Sequence, residues 1–518
     1  MKRLVMFMVA LAWTGSVGAQ TALFESPGKV TPRGRIDTLV FRRLKSADIE
    51  PAKLSSDAVF VRRVYLDVIG TLPTAQEART FLLDDDPDKR AKLIDRLFEH
   101  DAFADYWAMR WCDLLRVKSE FPINLWPNAV QAYHRWIRTA LKQNMPYDGF
   151  VRELLTSSGS NFRVPQVNFY RAMQSNEPPA LAKAVALAFM GERMTAWPKD
   201  RRDGMTVFFS RVGYKRTTEW KEEVVYFDLT AEATPSARLP DGTVVKLSEY
   251  RDPREAFADW LITAENPWFA RCIVNRIWYW LLGRGIIHEP DDVRPDNPPT
   301  HPHLLAYLEK ELVRTKYDLK HIYRLILNST TYQLSPVPRS KNARAAELFA
   351  YYPLRRLDAE VLIDALCQLT GTTETYSSRI PEPFTWIPPE KRSIALPDGS
   401  ITSSFLEMFG RPPRDTGMVA ERNNKATAAQ ALHLLNSTHV RKKLEQSRKL
   451  RSLRRIAWRA PGKAATEVYL MILSRHPTRE ELKVIRQYID ANRGKRGADP
   501  VVDMAWALVN SAEFLYRH

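Results

Sequence analysis

Cysteine is nearly absent: three in 518 residues, Cys112, Cys272 and Cys367. They are far apart and each sits in an apolar stretch, which excludes a disulfide framework and a clustered thiolate site for zinc. Each is expected to act as a small buried hydrophobe. None has a second cysteine at +3 followed by histidine, so the Cys-x-x-Cys-His that attaches c-type haem covalently is missing and covalent haem is excluded. Glycine is also sparse, 20 against 34 prolines. No phosphate-binding glycine loop occurs, and no Gly-x-Ser-x-Gly elbow for acyl transfer. After the first twenty residues, no charge-free apolar run reaches the roughly twenty residues that a membrane span needs.

What is present is core-forming material. Hydrophobic residues make up 45% and aromatics 11%. That composition supports a large packed interior, and the length predicts two or three domains.

The formal charge of +17 first suggests a nucleic-acid binder. The N-terminus argues otherwise. Lys2 and Arg3, the apolar stretch Leu4 to Trp13, and Val17-Gly18-Ala19 before Gln20 read as a signal peptide over residues 1–19. An uncleaved anchor is the alternative. An exported, periplasmic or envelope-associated chain is expected to meet no nucleic acid. Its mature charge is about +15, of which +9 lies between Val440 and Lys463. There Arg441, Lys442, Lys443, Arg448, Lys449, Arg451, Arg454 and Arg455 interleave with Val440, Leu444, Leu450, Leu453 and Ile456, the pattern of one or two basic amphipathic helices. Three readings stand: a solvated helical face, contact with an anionic envelope lipid or polysaccharide, and docking to an acidic partner protein.

Helical periodicity dominates the chain. Thr74/Glu77 and Thr478/Glu481 form capping boxes. Helices are expected near 102–117, 127–143, 147–157, 178–191, 253–264, 268–282, 302–313, 317–331, 356–371, 427–447 and 500–514. Glu223–Phe227 reads as a strand, and Asp241-Gly242 marks a hairpin. This is the one substantial β element expected. The fold class is mainly α: two helical domains, 32–225 and 250–518, with a small β-hairpin insertion at 226–249. The second domain carries a long Pro-, Ser- and Thr-rich loop, 373–404, containing Phe384 and Trp386.

Three constellations could carry chemistry. His288, Asp291, Asp292, His301 and His303 place imidazoles and carboxylates close together in a proline-stiffened segment, a divalent-metal site or a set of structural caps and ion pairs. Asp67 with Asp113, or Asp358 with Glu360, would serve glycoside hydrolysis, with ion pairing to Arg355 and Arg356 as the alternative for the second pair. Trp107, Trp111, Trp126, Trp136, Trp268, Trp278 and Trp280 form either core or a stacking groove for sugars.

Val61-Arg62-Arg63-Val64-Tyr65-Leu66-Asp67, Arg110-Trp111-Cys112-Asp113, Glu265-Asn266-Pro267-Trp268, Val274-Asn275-Arg276-Ile277-Trp278, Arg355-Arg356-Leu357-Asp358 and Gln430-Ala431-Leu432-His433-Leu434-Leu435-Asn436 occur in order. The ordered set resembles paired planctomycete-type domains of unknown function, a cytochrome-associated PSCyt-type domain followed by a PSD-type domain. The resemblance implies association with cytochrome-containing proteins but no established reaction. Many family members carry a haem-attachment motif in the first domain. Here the corresponding segment reads Phe189-Met190-Gly191-Glu192-Arg193-Met194, so the chain resembles a haem-free variant, with Met190 and Met194 expected in the core.

Two function classes follow. One is a haem-free binding or scaffold component of a cell-envelope assembly, in contact with an envelope protein, polysaccharide or anionic surface. The other is an envelope enzyme acting on polysaccharide or another exported substrate. No cofactor is expected beyond the divalent-metal option.

Overall fold

The structure is a computed structural model that describes residues 23–385, 387, 390–495 and 497–518. The leader and Trp386 lie outside the described residues. Helices dominate and the sheets are small, so the fold is mainly α. One apolar core runs without interruption from Ile36 to Phe514.

Helix α1 (Asp57–Val68) passes through this core. Ser56 caps its first turn by accepting from the Val59 amide. Every residue from Val59 to Val68 is buried, including Arg62, Arg63 and Asp67. Interior arginines need acceptors. Arg62 donates to the carbonyls of Ile472 and Phe514 at 2.8 Å each, and Arg63 to those of His518 and Tyr332. The first helical region is thereby bonded to the end of the chain.

Helix α2 (Asp101–Leu114) presents Trp107 and Trp111 on one buried face, both packed against Trp280. It lies against α3 (Pro127–Lys142). Pro178–Val185 continues into a π-helical turn, Ala186–Met190, ended by Gly191 in the left-handed region. Met190 and Met194 are buried. Helix α4 (Phe269–Leu282) ends at Gly283 with φ 73°, where a Cβ would clash with the Arg355 side chain. Helix α5 (Ala359–Thr370) is almost wholly buried. Both anticipated capping boxes form.

The β structure is richer than the sequence suggests. β1 (Gly159–Ser160), β2 (Val212–Arg216) and β3 (Glu223–Phe227) make a three-stranded antiparallel sheet in the order β1-β3-β2. The boundary drawn at 225/226 therefore falls inside β3. The partner strand β2 is hard to read because its alternation offers only Val212 and Tyr214 before Arg216 breaks it. The expected hairpin is present: β4 (Ser236–Arg238) pairs with β5 (Val244–Lys246), Ala237 opposite Val245. β6 (Arg355–Arg356) pairs with β7 (Tyr516–Arg517), stitching the chain end beside α5.

The segment 427–447 is two helices, Ala428–Asn436 and α6 (Thr438–Gln446), because Ser437 turns out of the helix and its hydroxyl accepts from the Val440 amide. Helix α7 (Arg448–Arg459) follows. Helix 500–514 likewise stops at Val509, and Ala512–Leu515 restarts after the Ser511 cap.

Candidate functional site: an arginine-walled cavity between the domains

A cavity of about 710 Å³ opens between the first and second helical regions. Its wall combines Arg110 and Asp113 of α2, Arg276, Tyr279 and Trp280 of α4, the β6 arginines, Asp358, the segments Gly417–Ala420 and Arg422–Ala426, and Arg517 of β7. The site therefore exists only when both regions and the chain end are assembled.

Of the four candidate carboxylates, Asp113 and Asp358 line the cavity and Asp67 and Glu360 stand behind its wall, and guanidinium groups bridge them. Arg517 contacts Asp67 at 2.8 Å and Asp358 at 2.6 Å, and its guanidinium also donates to the Tyr106 hydroxyl. Arg110 contacts Asp358 at 2.5 Å. Asp67 also accepts from the hydroxyls of Tyr332 and Tyr352 at 2.8 Å each and lies 3.4 Å from Arg355. Arg422 reaches Asp113 and Glu360, both at 2.7 Å. Arg414 shares Asp113 at 2.9 Å, and Arg411 shares Glu360 at 3.5 Å. Ion pairing is thus the role of these acids, but Asp358 pairs with Arg110, Arg517 and Arg422, and Glu360 with Arg422 and Arg411, rather than with their sequence neighbours Arg355 and Arg356.

Burial alone would raise the Asp358 pKa. The guanidinium groups of Arg110, Arg517 and Arg422 overcome it and hold the carboxyl well below the ordinary carboxylate range. Asp113 is lowered for the same reason, with Arg422 and Arg414 outweighing desolvation. Burial, reinforced by Arg414, brings Arg411 down to about 10.

The proposed metal ligands are not brought together. Asp291 turns inward, 2.9 Å from buried Arg276, and accepts from the Val419 amide. Asp292 pairs with Arg294 at 3.2 Å. His301 is buried against Phe349, with Nδ1 3.1 Å from the Thr300 hydroxyl. It stands at the N-cap position of helix Pro302–Arg314, yet its side chain makes no capping bond. His288 and His303 are exposed. Among the described residues, no three His, Cys, Asp or Glu side chains are grouped as a metal would require. The inward commitment of Asp291 to Arg276 is what disperses the set.

The basic run divides by face. Arg441, Lys442, Arg448, Lys449, Arg451 and Arg455 are exposed. Arg454 is half-buried and 2.5 Å from Asp499. Lys443 is buried, 3.0 Å from Glu374 and 3.5 Å from the Cys367 sulfur, so it belongs to the interior rather than to a contact surface.

The tryptophans are mostly core. Trp107, Trp111, Trp278 and Trp280 are buried, and Trp136 packs on Phe150. Trp126 instead joins Trp220 and Phe384 in an exposed cluster, with the Lys221 ammonium 5.0 Å from the Trp126 ring. All three cysteines are free, Cys367 only half-buried. Burial pushes the Cys112 thiol up to about 12.

Arg422 and Arg517, which organise the site, have no place in the sequence reading, and Arg276, which joins them, stands there without a site role. The available signal was an arginine enclosed by apolar residues, as in Ile273-Val274-Asn275-Arg276-Ile277-Trp278 and Phe514-Leu515-Tyr516-Arg517. Such a charge must find buried partners.

No curated protein and no solved structure matches the chain. Two family models do. The PSCyt2 model, described as a protein of unknown function (DUF1549), matches residues 35–201. The PSD1 model, described as a protein of unknown function (DUF1553), matches residues 253–489. The first contains Asp67, Arg110 and Asp113, the second contains Arg276, Asp358 and Arg422, and Arg517 lies beyond both. The chain therefore belongs to the proteins that carry a PSCyt2 domain followed by a PSD1 domain.

Proposed function

We propose that the protein is an exported, haem-free binding component of a cell-envelope assembly, with the arginine-walled cavity as its binding site. One observation carries this reading: the cavity wall, among the described residues, contains no serine, threonine, cysteine or histidine. Its acids are also committed. Asp113 and Asp358 are shared among arginines, and Glu289 pairs with Arg193 at 2.8 Å.

Glycoside hydrolysis needs one carboxyl held protonated and a second poised to attack the sugar or activate water. The arginines drive Asp113 and Asp358 the opposite way. Binding is therefore favoured over the alternative, an envelope enzyme acting on polysaccharide or another exported substrate. The leader and the resemblance to cytochrome-associated proteins support an envelope location and a protein partner. The exposed basic face of α6 and α7 supplies a second contact, to an anionic envelope surface or an acidic partner.

The test is recovery of the tagged mature protein from its native envelope, beside Arg356→Gln and Lys425→Glu. The wild type is expected to retain a partner or ligand that both variants lose while keeping their circular dichroism. Equal recovery by all three refutes the cavity as the site. Glycan turnover abolished by Asp358→Asn refutes the binding reading.

A further inference from the structure

The cavity holds more positive charge than its carboxylates match. Five of its lining arginines, Arg110, Arg276, Arg355, Arg422 and Arg517, form ion pairs, while its lining carboxylates are three, Asp113, Glu289 and Asp358. Arg356 and Lys425 also line the wall, and neither has a carboxylate within ion-pair distance among the described residues. Together these groups leave an excess of four positive charges. Arg356 is buried, lies 5.2 Å from the Phe409 ring centroid and donates to the neutral Gln430 amide oxygen. Lys425 stands exposed at the mouth. The Nε groups of Arg110, Arg355, Arg356, Arg422 and Arg517 are buried and have no acceptor within the protein.

Clustered guanidinium groups in a low-dielectric cavity repel one another, and an entering anion relieves that repulsion. Planar, forked donors match carboxylate, sulfate and phosphate oxygens. The volume lies in the range of pockets that hold one small ligand, which excludes a whole macromolecule. Asn423, Asn424 and Tyr279 add neutral hydrogen-bonding groups to the same wall.

We infer that this cavity takes a compact ligand bearing two or more oxyanion groups, a polycarboxylate or the acidic end of a saccharide. The inference rests on the reading of the cavity as a binding site and goes further by naming the ligand's chemistry.

Calorimetric titration of the full mature protein tests it, using citrate, a disulfated disaccharide and the same disaccharide without sulfate. The two charged probes are expected to bind and the neutral one to fail. Affinity is expected to fall as salt rises. Arg356→Gln and Lys425→Ala are each expected to weaken binding about tenfold or more, the loss of one charge-assisted contact. Lys425 is exposed, so that variant keeps the fold and separates binding from stability. Tighter binding of citrate identifies a free polycarboxylate as the source, and tighter binding of the sulfated sugar an acidic saccharide. Neutral disaccharide binding as tightly as its sulfated form overturns the ligand class while leaving the binding site standing. Failure of every probe, with Lys425→Glu still stripping the native partner, does the same. Failure of every probe with no effect of the variants on recovery overturns both readings.

Discussion

Arg517→Met is the sharpest perturbation of the ion-pair lattice. The guanidinium is buried and binds Asp67 at 2.8 Å, Asp358 at 2.6 Å and the Tyr106 hydroxyl at 3.0 Å. Methionine keeps much of the volume, so the cost is electrostatic rather than a cavity. Asp67 retains two tyrosine hydroxyls, and Asp358 retains Arg110 and the Asn424 amide at 2.7 Å. The two carboxylates nevertheless lose their shared counter-charge in a dry environment. Removing one partner of a buried pair costs about 3–5 kcal/mol. Because each acid keeps other donors, the lower half of that range is expected. Urea unfolding followed by tryptophan fluorescence measures it, with Lys425→Met as the surface control within about 0.5 kcal/mol of wild type. The double variant Arg517→Met/Asp358→Asn should recover at least about 1 kcal/mol of the summed losses, since the residues touch. An Arg517→Met cost below about 1 kcal/mol at unchanged m would show that water already screens the lattice, and the argument for a dry junction would fall.

Four further outcomes are expected. His134 is buried, and its pKa falls from 6.5 to about 3 through burial and the nearby Arg414. The unfolded chain then takes the proton first, so this share of stability is complete above about pH 6.5 and lost toward pH 3, at about 1.4 kcal/mol per pH unit. His134→Leu should remove that share of the slope in urea titrations across this window. Replacing Arg448, Arg451 and Arg455 with Glu should abolish binding to phosphatidylglycerol vesicles at low salt, whereas Lys443→Ala should lower the unfolding midpoint instead. Wild type that ignores the vesicles, or binds regardless of salt, rejects the basic face as an anionic-surface contact. Gly417 has φ 74°, and a Cβ there would lie 2.6 Å from the Leu114 carbonyl. Gly417→Ala should therefore cost about 1–3 kcal/mol by the same unfolding assay. Deleting residues 511–518 keeps both family-model regions but removes β7, and proteolysis should cut that chain far faster than the full one.

The helical class was legible because amphipathic period and capping boxes are local. Ile36, Leu39, Val40 and Leu44 repeat on one face of their helix, and Thr74 with Glu77 marks a start. β2 was not legible, because Gly213 and Lys215 occupy positions stabilised by pairing with β3 rather than by burial. The site was half legible. Asp67, Asp113, Asp358 and Glu360 were chosen as acids of interest, but their pairing partners lie as far away as Arg517. Sequence spacing carries no information about contacts formed across the whole chain. The proposed metal ligands failed for the complementary reason: nearness along the chain did not survive a turn that sends Asp291 inward and leaves His288 outside.

The two family domains cannot be independent beads. Arg62 and Arg63, in the first, donate to the carbonyls of Ile472 and Tyr332 in the second, and to those of Phe514 and His518 in the chain end beyond it. Arg517 returns the connection by closing onto Asp67. Separating the domains would leave these charges unpaired, and restoring water to them would flood the continuous core that α1 occupies. The pairing of the domains along the chain and the assembly of the cavity therefore have one physical cause. Buried charges in each half find their partners in the other, and the surplus of guanidinium groups over carboxylates at that junction is what turns a structural seam into a site for an anion.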